Sequence, residues 1–151
     1  MDTISFRQAS LPDADAILAL MREYYAFDHL VFDDIRARSA LEDLIQHWSF
    51  GAVWLILSED TPAGYIVLTF GYSLEFYGRF GLIDELYLQP AYRNRGIGKR
   101  AMGFVQEICH SAGIRVLRLE VERENLHAQE VYHHEGFVAH DRNIMTKRST
   151  R

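Results

Sequence analysis

The 151-residue sequence has one cysteine, Cys109, which excludes an internal disulfide and fits a reducing compartment. The N-terminal residues contain no apolar signal region, and no apolar stretch is long enough to span a membrane. These absences predict a cytoplasmic protein that does not act at a membrane.

Linkers, internal repeats and low-complexity tracts are also absent, which predicts a single domain over residues 1–151. A chain of this length buries about 68–70% of its unfolded surface, so its core needs no disulfide or metal for support. The histidines do not have the spacing of metal ligands, and we expect no metal site.

Positive charge is scarce in the first part of the chain and abundant in the second. Residues 1–90 have a net charge of −9 and residues 91–151 a net charge of +4, within an overall charge of −5. The split suggests an anion bound by the second part and a cation attracted by the first, or else chance segregation of surface charge. The overall negative charge disfavours nucleic acid as a partner.

Hydrophobic periodicity predicts an α/β protein, α+β in some schemes, with the order β-α-α-β-β-β-α-β-α-β-β. This order favours a mixed, mostly antiparallel sheet of six to seven strands flanked by about four helices. The last two strands are expected from Gly136 onward and over residues 144–147. In the strand 81–88, alternation places Glu85 on one face with Ile83 and Tyr87, and Asp84 on the other.

The segment QPAYRNRGIGKR, residues 89–100, lies between the strand 81–88 and a helix predicted over 98–112. Gly96 and Gly98 allow backbone N–H groups to turn inward, and the helix start adds unpaired N–H groups and a positive dipole end. This pattern predicts a phosphate or pyrophosphate site, and the alternative is a glycine turn on a solvated basic loop. The surrounding cations are Arg93, Arg95, Lys99 and Arg100.

Two other phosphate motifs do not fit this segment. A dinucleotide fingerprint needs a third glycine shortly after Gly98, where Ala101 and its neighbours supply none. A P-loop needs Ser or Thr after the Gly-Lys pair, and Lys99 is followed by Arg100.

Two sequence blocks resemble those of the GNAT superfamily of acyl-CoA-dependent N-acetyltransferases. Residues 93–98, RNRGIG, match its Q/R-x-x-G-x-G/A motif. Residues 125–137 match its second block, N-x-x-A-x-x-x-Y-x-x-x-G-F, through Asn125, Ala128, Tyr132 and Gly136-Phe137. The element order agrees as well, so the resemblance extends over nearly the whole chain.

The resemblance implies a sheet with a central splay, in which the pantetheine arm of acetyl-CoA lies beside the strand 81–88 like an additional strand. It implies that loop amides hold the pyrophosphate and that Asn125 contacts the pantetheine arm. The expected cofactor-binding residues are Leu86, Tyr87, Leu88, Arg93, Asn94, Arg95, Gly96, Ile97, Gly98, Lys99 and Asn125.

Acetyl transfer to an amine requires a group that accepts the amine's proton and a group that protonates the leaving thiolate. The resemblance assigns the second role to Tyr132. Three carboxylates are candidates for the first role: Glu85, then Glu120, which lies in an LRLEV segment similar to that of ribosomal-protein N-terminal acetyltransferases, then Asp84. Each of the three is alternatively a cross-strand or solvated surface charge.

Aromatic and acidic residues suited to an ammonium group occur in the first two predicted helices. Others follow a strand that is predicted over residues 64–72. The acceptor candidates are Tyr24, Tyr25, Asp28, Glu75 and Phe76, with Asp33, Asp34 and Tyr77 as further material.

The sequence therefore predicts an N-acetyltransferase that moves the acetyl group of acetyl-CoA to a primary amine, small or peptidic, by direct transfer in a ternary complex. A non-catalytic acyl-CoA sensor or scaffold of the same fold is one alternative, and a nucleotide-phosphate enzyme using the same loop is another. The resemblance also makes a homodimer possible.

Overall fold

The computed structural model describes residues 3–149. The chain divides into two compact units, Met1–Leu119 and Glu120–Arg151. The inclusion of both units in one domain stays a prediction.

The first unit contains a five-stranded sheet and three helices. Its strands are β1 (Ile4–Gln8), β2 (Gly51–Ser58), β3 (Thr61–Ser73), β4 (Gly78–Leu88) and β5 (Leu117–Leu119). Its helices are α1 (Ala14–Phe27), α2 (Asp34–Gln46) and α3 (Ile97–Ser111), and short 3-10 turns cover Leu11–Asp13, Leu74–Phe76 and Pro90–Tyr92. The second unit contains α4 (Leu126–His134).

The strands follow one another in the sheet in chain order, with β1 to β4 antiparallel and β5 parallel to β4. The mixed α/β architecture with four helices is as predicted, but residues 3–149 form five strands, so the prediction of six to seven strands was wrong. Val138, Ile144 and Met145, in the segment expected to supply the last two strands, are 72%, 73% and 92% exposed. Short amphipathic segments gain a strand conformation mainly from burying one face, and these residues bury little.

The two faces of the sheet carry different helices. α1 and α2 cover one face, where Leu18 and Leu41 belong to a buried cluster with Val53, Leu55 and Val67 of the sheet. α3 lies on the other face. There its residue Phe104 stacks on Phe6 of β1 at 4.9 Å and meets Trp54 of β2 edge-on at 5.6 Å.

A β-bulge interrupts the pairing of β3 with β4. Val67 lies opposite Glu85 and the next residue, Leu68, lies opposite Ile83, so Asp84 is the extra residue. Because cross-strand partners project to the same face, Ile83 lies on the α3 face with Leu68 and does not share the face of Glu85. The alternation predicted for this strand was therefore wrong at Ile83, while Tyr87 does lie on the α1 and α2 face.

The ladder between β4 and β5 is short. It joins Gly81, Leu82 and Ile83 to residues 117–119 and stops there. β4 continues five residues further, to Leu88, and no described strand pairs with that stretch on the β5 side. The end of β4 therefore has one unpaired edge. It is followed directly by residues 89–100, the glycine loop.

The described part of the second unit is built around α4 and a C-terminal segment, residues 137–149, which forms no regular helix or strand. Asn125 caps α4, and its side-chain oxygen accepts from the Ala128 N–H at 3.1 Å. The Arg123 guanidinium donates to the Asn143 side chain at 2.6 Å, which ties the C-terminal segment to the start of the unit. No helix within residues 3–149 has the length and hydropathy needed to cross a membrane.

Candidate active site

A cavity of about 330 Å³ lies between helices α1 and α2 and strands β3 and β4. Its apolar wall includes Ile17, Met21, Phe32, Leu41, Leu44 and Val67. Its polar groups are Tyr25, Asp33, Arg36, Asp84 and Glu85. Three carboxylates and one guanidinium give this cavity the acidic character expected of a site that attracts a cation.

Glu85 is held by two phenol hydroxyls. Tyr25 donates to Glu85 Oε2 at 2.6 Å, and Tyr65 donates to Glu85 Oε1 at 2.7 Å. Burial raises the pKa of Glu85 above its ordinary value, and Asp84 adds to that rise, while the two hydroxyl donors oppose it. A carboxylate with a raised pKa is a stronger base than an exposed one, so Glu85 is suited to accept a proton.

Asp84 reaches the same cavity as Glu85 because the bulge removes the strict alternation at this point. Its side chain remains exposed to solvent, at the mouth of the cavity, although the surrounding protein raises the pKa of its carboxyl group. Asp33, also at the cavity, caps α2 by accepting from the Arg36 N–H at 3.1 Å. The structure thus brings together Asp84 and Glu85, which simple alternation along β4 would place on opposite faces.

The predicted acceptor residues fall into two groups. Tyr25 lies at the cavity, and Tyr24 packs edge-on against it at 5.6 Å, while Asp28 is exposed just past the end of α1. Glu75 and Phe76 lie in the turn between β3 and β4. β3 ends six residues after Val67, the partner of Glu85, roughly 20 Å away, and the turn lies beyond that end, so the structure does not bring this pair to the cavity.

Of the further acceptor material, Asp34 forms an ion pair with Arg22, and Tyr77 is 95% exposed after the β3–β4 turn. Neither residue lines the cavity.

The glycine loop presents its backbone to solvent. Asn94 and Gly96 have left-handed backbone conformations, with φ of 60° and 74°, and residues 94–96 are exposed. Gly96 is the N-cap of α3, and no described side chain caps that helix end by a hydrogen bond. The first bond along the helix runs from the Arg100 N–H to the Gly96 carbonyl, so the N–H groups of the preceding turn lie ahead of the helical ladder. This geometry is suited to bind an anion.

Two of the loop's arginines point back toward the protein. Arg93 Nε donates to the Leu88 carbonyl at 2.9 Å, and its guanidinium lies over the rings of Phe27 and Tyr87 at 4.6 and 5.5 Å. Arg100 donates to the Ile4 carbonyl at 3.3 Å. Arg93 therefore fixes the loop against β4 and α1.

The remaining predicted residues lie in the second unit. Glu120 is exposed, and Asn125 is the cap of α4 described above. Tyr132 is partly buried and packs edge-on against Phe137 with the ring centroids 6.0 Å apart. Burial raises the pKa of the Tyr132 phenol, which keeps it protonated at neutral pH.

Tyr65 belongs to the site but was not predicted from the sequence. Within an otherwise apolar strand it looks like a core residue, and its side chain is fully buried. The available signal was its hydroxyl, since a buried tyrosine usually has a hydrogen-bond partner and Glu85 lies on the adjacent strand. Phe32 and Arg36 at the cavity were also missed, because their approach to β4 depends on how α2 packs.

A family model for the GNAT acetyltransferase family matches residues 15–137. The chain belongs to this family. As a GNAT protein it is an acetyltransferase, and curated relatives have the same activity in their names. These include the uncharacterized N-acetyltransferase YhfO of Bacillus subtilis, 26% identical over 89% of each chain.

Two further relatives of this GNAT acetyltransferase are each 27% identical to it. One is the thialysine N-epsilon-acetyltransferase of Bos taurus, matched over 87% of this chain and 82% of the relative. The other is the spermidine N(1)-acetyltransferase of Thermoplasma acidophilum, matched over 88% of this chain and 74% of the relative.

Solved structures share the fold. An integron cassette protein, HFX_CASS3, from the mobile metagenome of Cole Harbour Salt Marsh has a TM-score of 0.85 at 29% identity, covering 97% of this chain and 91% of its own. The aminoglycoside N-acetyltransferase AAC(6')-Iy, solved with CoA, has a TM-score of 0.83 at 17% identity, covering 98% and 96%. At that identity the second likeness establishes the GNAT fold alone.

Proposed function

We propose that this protein transfers the acetyl group of acetyl-CoA to a primary amine by direct attack within a ternary complex. The observation that carries the proposal is the position of Glu85, a partly buried carboxylate with a raised pKa. It lies in an acidic cavity on the same strand, β4, that ends at the glycine loop. A base for the amine and an anion site for the cofactor thus occur on one continuous segment.

The residues present fit acetyl-CoA. The N–H groups around Gly96 and the first turn of α3 are suited to hold a pyrophosphate, and the unpaired edge of β4 from Leu86 to Leu88 is suited to an extended pantetheine arm. A Cβ at Gly98 would lie 3.9 Å from the side chains of both Leu86 and Leu88. Glycine at this position therefore leaves space for the pantetheine arm between the start of α3 and the end of β4. Bound acetyl-CoA supplies the thioester whose acetyl group is transferred.

Glu85 is the proposed base. An alkylamine with a pKa near 10.4 is neutral in only about one molecule in 2,500 at pH 7, so its proton must be removed before attack. Each oxygen of Glu85 accepts one hydrogen bond from a hydroxyl group and retains a further lone pair. Asp84 at the cavity mouth and Glu120 in the second unit rank after Glu85, since both are more exposed than Glu85.

Tyr132 is the proposed acid for the leaving thiolate, and Asn125 is the proposed contact for the pantetheine arm. Both assignments rest on the match to the second sequence block. The raised pKa of Tyr132 supports its assignment, because an acid must carry its proton at neutral pH. The Oδ1 of Asn125 caps α4, which leaves its amide N–H groups as the donors for such a contact.

The proposed acceptor is a small primary amine. The acidic groups of the cavity favour an ammonium ion, and its aromatic rings favour the cation further. By their names, two of the relatives act on thialysine and spermidine, both small amines.

The proposal is tested by measuring thiol release from acetyl-CoA with a panel of amines that includes lysine, diamines, polyamines and short peptides. We expect turnover with at least one small amine and reduced turnover, with retained CoA affinity, in Tyr132→Phe. Calorimetric CoA binding without turnover on any amine would favour the non-catalytic sensor, and preferential binding of ATP over acetyl-CoA would overturn the proposal.

A further inference from the structure

We propose that Tyr25 relays the proton of the acceptor's ammonium group to Glu85, whereas Tyr65 only positions the carboxylate. This inference rests on the proposed function, because it assigns the route of the proton in that reaction. Tyr25 is thereby a catalytic residue in addition to part of the acceptor wall.

The two tyrosines make matching hydrogen bonds to Glu85 but have different surroundings. Their donor–acceptor distances are 2.6 and 2.7 Å, one to each carboxylate oxygen. Tyr65 is 0% exposed and lies outside the cavity lining, whereas Tyr25 is half-buried and lines the cavity. An ammonium group in the cavity can therefore reach the hydroxyl of Tyr25 but not that of Tyr65.

The ring of Tyr25 is fixed from two sides. Tyr24 packs against it edge-on at 5.6 Å, and Phe32 does so at 5.3 Å. Edge-to-face contacts of this kind restrict the orientation of the ring, so its hydroxyl stays directed at Glu85 Oε2. The phenol oxygen still has lone pairs with which to accept a hydrogen bond from an ammonium group. An ammonium–Tyr25–Glu85 chain would be polarised in one direction, which strengthens each of its bonds.

The transfer is balanced in protons. The N–H bond of the ammonium breaks as its proton passes to the Tyr25 oxygen, and the O–H bond of Tyr25 breaks as its proton passes to Glu85 Oε2. The products are a neutral amine, an unchanged phenol and a protonated Glu85, which then loses its proton to solvent. Burial and the neighbouring Glu85 raise the pKa of Tyr25 well above its ordinary value. A free phenolate is thus disfavoured, and the two transfers must occur together.

The test compares Tyr25→Phe with its matched control Tyr65→Phe, using the best amine from the acceptor panel. Each variant deletes one hydroxyl donor to Glu85, which raises the pKa of this carboxyl group. In a plot of kcat against pH, the acidic limb should therefore move to higher pH by a similar amount in both variants. On the plateau above that limb, Tyr25→Phe should lower kcat by about 100-fold or more, the usual range for losing a proton-transfer group, and Tyr65→Phe by less than about tenfold.

The solvent isotope effect supplies a readout that a purely structural role would not change. Wild type should give a curved dependence of kcat on deuterium fraction, as expected for two protons in flight, and Tyr25→Phe a linear one. The double variant Tyr25→Phe/Glu85→Gln should be no slower than Glu85→Gln alone, because the relay has no terminus without the carboxylate. Far-UV circular dichroism and CoA affinity check that each variant is folded, and the comparison within the Glu85→Gln background holds even if Tyr65→Phe is unstable.

Equal plateau kcat values for the two phenylalanine variants would overturn the relay, as would a linear isotope dependence in wild type. These outcomes differ from failure of the proposed function, in which wild type itself releases no thiol with any amine.

Discussion

The glycine loop follows Asp84 and Glu85, the carboxylates that β4 contributes to the cavity, yet the loop and the cavity are built in different ways. The loop is local, because its N–H groups are presented by the left-handed conformation of Gly96 and by the start of α3. The cavity is assembled from distant segments, since Tyr25 and Glu85 are 60 residues apart. Backbone conformation should thus decide cofactor affinity, and side-chain identity should decide acetyl transfer.

The largest effect is expected from Glu85→Gln, which keeps the shape of the side chain and removes the base. We expect kcat/KM for the amine to fall by about 100- to 10,000-fold, the range for loss of a general base. CoA affinity, measured by calorimetry, should stay within about twofold because the loop is unchanged. Asp84→Asn is the matched control and should cost much less, since Asp84 lies at the mouth. A parallel loss of CoA affinity in Glu85→Gln would show that the two regions are not independent.

Gly96→Val should have the next largest effect and act on the loop alone. A Cβ at Gly96 meets no atom within 4 Å, so the difficulty is its φ of 74°, which a β-branched residue avoids. Holding that conformation costs about 1–3 kcal/mol, so the dissociation constant for CoA should rise roughly 5- to 150-fold. Gly103→Ala is the control, because it adds a methyl group within α3, in open space, and leaves the loop intact. Unchanged CoA affinity in Gly96→Val would contradict the anion site.

The smallest effect concerns the pH dependence of stability. Because the pKa of Glu85 is raised in the folded state, the folded protein binds more protons than the unfolded chain between the group's ordinary pKa of 4.5 and its raised pKa. The contribution of Glu85 to the free energy of unfolding therefore decreases as pH rises through that window. In urea titrations between pH 4 and 8, Glu85→Gln should lack this decrease, so its stability relative to wild type should improve with rising pH.

Asp13 provides the opposite sign for this experiment. The Ser10 backbone N–H, with help from Arg7, lowers the pKa of Asp13, so its stabilising contribution is lost as pH falls. Asp13→Asn should therefore remove stability mainly at neutral pH. For each variant, the difference in free energy of unfolding from wild type is plotted against pH. If both plots had slopes of the same sign, the carboxyl group of Glu85 would not be destabilised by burial.

Features set by near neighbours in the chain could be predicted from the sequence. The capped 3-10 turn at Ser10–Asp13 before α1, the four helices and the loop before α3 all depend on residues within one or two turns of each other. The family followed from two such local motifs.

Features set by packing could not be predicted in this way. Nothing in the order of residues 81–88 indicates the bulge at Asp84, which depends on the pairing with β3 and brings two adjacent carboxylates to one cavity. Tyr65 and Tyr25 meet Glu85 only once three separate elements have packed. The last two strands were expected from apolar pattern alone, which does not reveal whether a partner surface buries them.

The bulge at Asp84 has a second consequence, for solubility. A sheet border with free amides and carbonyls can template the stacking of a neighbouring molecule, and natural proteins protect such borders with irregular backbone and charge. The unpaired part of β4 begins with both, an extra residue and two adjacent acids. The same short stretch thus disfavours pairing with the sheet edge of a second molecule, while its backbone remains accessible to the single extended chain of the proposed cofactor.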